Sequence, residues 1–173
     1  MMSNFVINRF TTRYAPKIDR MVIMAEGPQG EGMIVRVHPD LMRQMVEKLC
    51  SWVEQTAAPV AAVKAKAVTS QQRQAYNDMA QSEARVQKAE QPVEPVRPQL
   101  FSKHTAPTAL TMTIKGNTLV VYFKDTDLTT VLQIQKHAVR QWLDILYRHW
   151  QSSQWSQEVW PGWIVQAEKS VAH

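Results

Sequence analysis

The sequence predicts an α+β fold, in which an antiparallel sheet carries helices on one face. Three observations support this prediction. Short segments alternate apolar and polar residues, as half-buried strands do. Two longer segments repeat apolar residues at helical spacing, and residues typical of tight turns separate the segments. With 173 residues, 45% of them hydrophobic and 20% charged, the chain has the size and composition of one globular domain or two small ones.

Residues 1–54 are predicted to form an N-terminal α+β half. Residues 5–14 fit an edge strand, and the uninterrupted apolar run over 20–25 is typical of a buried strand. Residues 26–32 are rich in Gly and predict a hairpin loop, which is followed by a strand over 33–38. Pro39 suits the first turn of a helix, so a helix is expected from there to about Glu54.

Residues 105–173 are predicted to form a C-terminal βββα half with a tryptophan-rich tail. Apolar and polar residues alternate over 109–115, and Gly116-Asn117 can supply the positive φ angles of a two-residue hairpin. Further strands are expected over 118–124 and 128–134, and a helix over 136–151. A half of this size has a small core, so we expect the two halves to dock or the chain to dimerise.

The two halves resemble each other where a strand runs into a helix. Residues 35–49 align with residues 132–146, and the Arg-Gln pair at Arg43 recurs at Arg140. We therefore put forward the hypothesis that two βββα-like halves are related by internal duplication. The alternative is coincidence, because any two amphipathic helices share an apolar stripe.

Residues 55–104 are interpreted as a flexible linker that contains a solvated helix. No Gly or Pro occurs over 69–91, which favours a helix. Its apolar stripe is thin and consists of Val68, Ala75, Tyr76, Met79 and Val86. Three prolines between Gln91 and Gln99 predict an extended end to the linker.

The charge and the cysteine content limit the classes of partner. The net charge is +5, and most of the excess lies in the linker, where seven basic residues face four acidic ones. Neither half contains a basic block, so nucleic acid is the less favoured partner. The single cysteine, Cys50, cannot form an internal disulfide, which favours a reducing, cytoplasmic location. No apolar stretch reaches the roughly 20 residues of a membrane helix, so a membrane is not expected as a partner.

The motifs that usually mark catalysis are incomplete, so we expect a protein that is not an enzyme and binds no cofactor or metal. Residues 27–32 lack the Lys-Ser/Thr ending of a phosphate-binding loop. Asp125 and Asp127 fit a turn with self-bonding side chains better than a metal site. The five histidines are scattered, and Cys50 is expected to be a buried thiol.

The tail concentrates the aromatic residues, and it supplies the candidate partner-binding residues Trp155, Trp160 and Trp163. One interpretation is that the tail folds back and packs on the sheet, with Trp155 the most exposed of the three. The other is that these side chains face a partner, because Trp is enriched at binding hot spots.

The functional hypothesis is a non-enzymatic interaction protein, such as an adaptor, an inhibitor or an accessory subunit, which recognises another protein or a second copy of itself. The alternative is a nucleic-acid-binding accessory factor that uses the basic linker. A third hypothesis, an enzyme with a site assembled from dispersed residues, requires a deep pocket with converging polar groups.

Overall fold

A computed structural model describes residues 3–55, 70–90, 96 and 101–165. It confirms the predicted α+β fold. The strands and helices are, in chain order, β1 (Ser3–Val6), β2 (Arg9–Ala15), β3 (Arg20–Glu26), β4 (Gly32–Val37), α1 (Pro39–Gln55), α2 (Ser70–Glu90), β5 (Phe101–Thr105), β6 (Ala109–Lys115), β7 (Thr118–Lys124), β8 (Leu128–Gln135) and α3 (Lys136–Gln151).

The strands form two four-stranded sheets, and each sheet takes one edge strand from a distant part of the chain. The N-terminal sheet has the order β2-β3-β4-β5, and the C-terminal sheet has the order β1-β8-β7-β6. β5 is parallel to β4 and β1 is parallel to β8, whereas the other neighbours are antiparallel. The expectation of a purely antiparallel sheet is therefore corrected to mixed sheets. An edge strand that arrives from a distant segment is not held antiparallel by a hairpin, so either direction is open to it.

Strand β5 lies within the segment that the sequence assigns to a linker. Residues 101–105 are Phe, Ser, Lys, His and Thr, which do not alternate clearly between apolar and polar. The strand is held by its parallel pairing with β4 and by Thr105, whose hydroxyl donates to Asp125 Oδ2 at 2.8 Å. These long-range contacts leave no local signal in the sequence.

One face of each sheet packs against α1 and α3, and together they form a single core. In β3 the core residues are Met21, Ile23 and Ala25. Because side chains alternate along a strand, the residues between them lie on the outer face of the sheet. Val22 and Met24 on that outer face are also buried, which accounts for the continuous apolar run of β3.

Each half contains a three-stranded meander followed by a helix, and the pairing registers correspond. Met21 pairs with Val37 ahead of α1, and Leu119 pairs with Ile134 at the equivalent place ahead of α3. The aligned apolar residues of the two helices are all buried: Met42, Met45, Val46, Leu49 and Val53 in α1, and Val139, Trp142, Leu143, Leu146 and Trp150 in α3. Internal duplication would account for this correspondence, and it stays a hypothesis about the origin of the chain.

The β6–β7 turn positions the start of α3. Gly116 has a φ of 61°, and it is the residue of the Gly-Asn pair that adopts a positive φ. The Asn117 carbonyl accepts the backbone N–H of Lys136 at 2.8 Å, which satisfies one of the unpaired donors in the first turn of α3.

The helix predicted inside the linker is α2, and it packs on α3. The expectation of a solvated helix is thereby corrected, because Asn77, Gln81, Ala84 and Arg85 of α2 are buried. The prediction that the linker is otherwise flexible and ends in an extended proline-rich stretch lies outside the described residues, apart from the buried Val96.

Candidate interaction surface

The tail folds back against the end of α3 and places two of its tryptophans in the core. Trp160 packs edge-on against Trp150 and Tyr147, with ring centroids 5.3 and 5.2 Å apart. The Trp163 indole donates to Glu54 Oε1 of α1 at 2.8 Å, and the Arg140 guanidinium lies 5.3 Å from the centre of its ring. The tail is thus tied to both long helices.

Trp155 is the most exposed of the three and is half-buried. Its ring packs edge-on against Trp150 and Tyr14, and its indole N–H donates to Asp19 Oδ1 at 2.7 Å. The Tyr14 hydroxyl donates to the same oxygen at 2.6 Å. These two hydrogen bonds, that of Tyr14 first, lower the pKa of the Asp19 carboxyl because they favour its charged form.

The packing prediction for the tail is confirmed, with Trp160 and Trp163 in the core and Trp155 at its margin. Partner binding by Trp155, Trp160 and Trp163 stays a prediction. Because two of the three rings are enclosed by the chain itself, an accessible apolar surface has to be sought elsewhere, and α2 provides one.

Arg140 holds α2 to α3 through hydrogen bonds at both its side chain and its main chain. Its Nη2 donates to Asn77 Oδ1 at 2.7 Å, and its carbonyl accepts the Gln81 amide at 2.7 Å. Burial lowers the pKa of Arg140 to about 10, so its guanidinium is charged at neutral pH. The hydrogen bonds and the Trp163 ring beneath it offset the cost of burying that charge.

A buried ion pair fixes α2 one turn further along. Arg85 Nε lies 2.8 Å from Asp144 Oδ1, and the two side chains are 5% and 2% exposed. Arg148, which is half-exposed, approaches the other carboxylate oxygen at 3.4 Å. Since an unpaired buried charge is costly, this pair admits few alternative positions of α2 on α3.

The opposite face of α2 presents two large apolar side chains to solvent. Met79 and Val86 are 62% and 48% exposed, and because they are seven positions apart, about two helical turns, both side chains lie on one side of the helix with exposed Ala75. This reverses the usual arrangement, in which the apolar stripe faces the core. Of the thin stripe identified in the sequence, Ala75, Met79 and Val86 point outward and Tyr76 is half-buried, while Val68 lies outside the described residues.

The sequence did not predict that the polar side of α2 would be buried, because its burial depends on contacts with α3. Asn, Gln and Arg in a helix normally indicate a solvated face. Here Asn77 and Gln81 meet Arg140, and Arg85 meets Asp144, all more than 50 positions along the chain. No sequence signal distinguishes Arg140 and Asp144 from the other charged residues of α3, such as Arg148.

Two side chains of types that often take part in catalysis, Cys50 and Asp125, have structural surroundings here. Burial is the main cause that raises the pKa of the Cys50 thiol, which keeps it protonated and unreactive. Asp125 accepts the Thr126 N–H at 2.8 Å within its own turn, as predicted, and that bond is the first cause lowering the pKa of its carboxyl. Among the described residues no group of three or more His, Cys, Asp or Glu side chains is arranged to hold a metal ion.

Comparison of the chain with protein-family models, with curated proteins and with solved structures finds no match. Within the described part of the chain, no helix has both the length and the apolar character needed to cross a bilayer.

Proposed function

We propose that this chain is a non-enzymatic interaction protein that recognises another protein through the outward face of α2. The observation that carries the proposal is the orientation of the helix. α2 buries Asn77, Gln81 and Arg85 and presents Met79 and Val86 to solvent. An exposed apolar stripe on an ordered helix is typical of a surface that a partner covers.

The energetics favour such a use of α2. Fully burying an exposed Met or Val side chain contributes roughly 1.5–3 kcal/mol, so covering each of these half-exposed side chains contributes about half of that. The ion pair between Arg85 and Asp144 and the hydrogen bonds to Arg140 hold α2 on a rigid support before any partner arrives. Binding to a pre-ordered helix avoids most of the entropy cost of ordering it. A partner that contributes an amphipathic helix fits this surface, because two helices can pack along such a stripe.

The test compares a double variant on α2 with an equally exposed apolar residue elsewhere. Met79→Gln/Val86→Gln removes the apolar stripe but keeps good helix formers. Ile114→Gln on β6, where Ile114 is 51% exposed, is the matched control. Proteins that co-purify stoichiometrically with the wild-type chain from its host are identified, produced separately and titrated against all three chains by calorimetry.

The double variant is expected to weaken binding by about 2 kcal/mol or more, or roughly 30-fold, while the control leaves the affinity unchanged. If the partner is a second copy, sedimentation velocity of the purified chain will show a dimer that the double variant loses. Equal affinity of the double variant and the wild type for every verified partner would contradict the proposal.

Nucleic-acid binding through the basic linker gains no support from α2, the described helix of that segment. α2 carries three basic and three acidic residues, and one of the basic residues, Arg85, is used in the ion pair with Asp144.

A further inference from the structure

We infer that the outer face of the N-terminal sheet is a nucleic-acid-binding surface, on which Arg13 and Arg36 contact backbone phosphates. This inference is independent of the protein-binding role proposed for α2. The surface consists of the outward side chains of β2, β3 and β4 together with His104 of β5, which pairs with Ile34.

Alternation along the strands concentrates positive charge on this face. Arg9 and Arg13 of β2, Arg20 of β3 and Arg36 of β4 all lie opposite to the core positions, and Glu26 is the acidic residue among them. Glu26 is already paired with Arg9, whose Nε lies 2.8 Å from its carboxylate. Residues 1–54 contain seven basic and six acidic residues, so the linear sequence hides this excess. It becomes a surface only when the strands align.

Arg13 and Arg36 form the centre of this surface. Both flank Val22 in one cross-strand row, because Arg13 pairs with Val22 and Val22 pairs with Arg36. Two strand spacings separate their Cα atoms by roughly 10 Å, a distance that two long side chains can span to reach neighbouring phosphates. Arginine suits this ligand because its planar guanidinium binds phosphate oxygens in pairs.

The C-terminal sheet shows that the fold does not require arginine at these places. Its equivalent row is Thr113–Val120–Gln133, in which the central Val is kept and both flanking residues are uncharged. Val120 is buried just as Val22 is. A row of the same geometry is therefore built without charge, so the packing of the sheet does not require Arg13 and Arg36.

The lack of exposed large apolar side chains among the described residues around Arg13 and Arg36 favours nucleic acid over a lipid membrane as the ligand. Val22 and Met24 are buried, and none of the exposed large apolar side chains among the described residues lies on this face. Val96 marks one limit of the available surface, since its N–H donates to the Thr11 hydroxyl at 3.0 Å in the row next to Arg13.

The experiment replaces the two arginines by the residues of the equivalent row in the C-terminal sheet. Arg13→Thr/Arg36→Gln is compared with Arg43→Gln/Lys48→Gln, which removes the same charge from the exposed side of α1. Fluorescence anisotropy measures binding of each full-length chain to a labelled 30-nucleotide oligo-dT between 50 and 200 mM NaCl. A 30-base-pair duplex and vesicles of phosphatidylcholine and phosphatidylserine are the comparison ligands, and thermal unfolding verifies the fold of each variant.

Wild type is expected to bind oligo-dT in the range of about 1–100 μM at physiological salt, which is typical of binding without sequence preference. Arg13→Thr/Arg36→Gln should lower the affinity for oligo-dT about tenfold or more. It should also reduce the slope of log affinity against log salt concentration by about 1.4, since each phosphate contact contributes roughly 0.7. The α1 control and Met79→Gln/Val86→Gln should bind as wild type does.

The inference is overturned if wild type binds neither oligonucleotide, if both charge variants lose affinity equally, or if the arginines matter only for vesicle binding. Should the double variant not fold, the single change Arg13→Thr at the exposed edge strand decides the question. It is then expected to lower the slope by about 0.7, and an unchanged slope would overturn the inference.

Discussion

Asp144 and Glu47 hold equivalent positions on α3 and α1, but their surroundings differ. Asp144 is buried against Arg85, whereas Glu47 is exposed, because α2 covers α3 at this place and no described element covers the same place on α1. The sequence alone presents them as a matched pair of acids. Their difference arises from a docking contact that no local pattern encodes.

Asp144→Asn should therefore be far more damaging than Glu47→Gln. The first change leaves the Arg85 guanidinium buried without its counter-charge, which is expected to lower the free energy of unfolding by about 3–5 kcal/mol. The second removes an exposed charge and should alter it by less than about 0.5 kcal/mol. Urea unfolding followed by tryptophan fluorescence measures both. Similar small effects for the two variants would show that α2 does not depend on this ion pair.

At the scale of the elements, the parts of the fold that are determined locally were predictable. Alternation over 109–115 and helical spacing over 136–151 identify β6 and α3, because each must bury one face. The parallel pairing of β1 with β8 and of β5 with β4 was not predictable, since each pairing brings together segments that are distant in the sequence. The orientation of α2 and the basic face of the N-terminal sheet could not be predicted either, because both depend on contacts between distant segments.

Leu49 of α1 and Leu146 of α3 test the equivalence of the two helices. Both side chains are fully buried at aligned positions in the core. Leu→Ala at either position should lower the free energy of unfolding by roughly 2–5 kcal/mol, through lost apolar contact and the cavity that remains. Denaturant titration of the two single variants provides the comparison. A nearly neutral change at one position would mean that the two halves do not share their core equally.

At the scale of the whole molecule, the exchange of edge strands binds the two halves together. β1 belongs to the N-terminal half but completes the C-terminal sheet, and β5, from the end of the linker, completes the N-terminal sheet. Core residues from both sheets and both long helices form one cluster. The halves predicted from the sequence therefore share a core, and each sheet includes a strand from outside its own half.

A split chain tests this interdependence. Fragments 1–69 and 70–173, produced together, should co-purify as one folded complex, because separation would expose both sheet edges and the shared core. Each fragment produced alone should be unfolded or aggregated. Size-exclusion chromatography and circular dichroism distinguish these outcomes. Two fragments that fold separately and do not associate would refute the exchange of strands.

α2 docks through its polar side and leaves Met79 and Val86 accessible, and the rate of cysteine labelling tests this orientation most directly. Met79→Cys and Gln81→Cys are each treated with a maleimide, in the native state and in denaturant. In the native state Cys50 contributes little background, because it is buried and its pKa is raised, and the wild-type chain gives its contribution in denaturant. We predict that the thiol at position 79 reacts nearly as fast in the native state as in denaturant, and that the thiol at position 81 is strongly protected. Protection at position 79 with rapid reaction at position 81 would contradict the account.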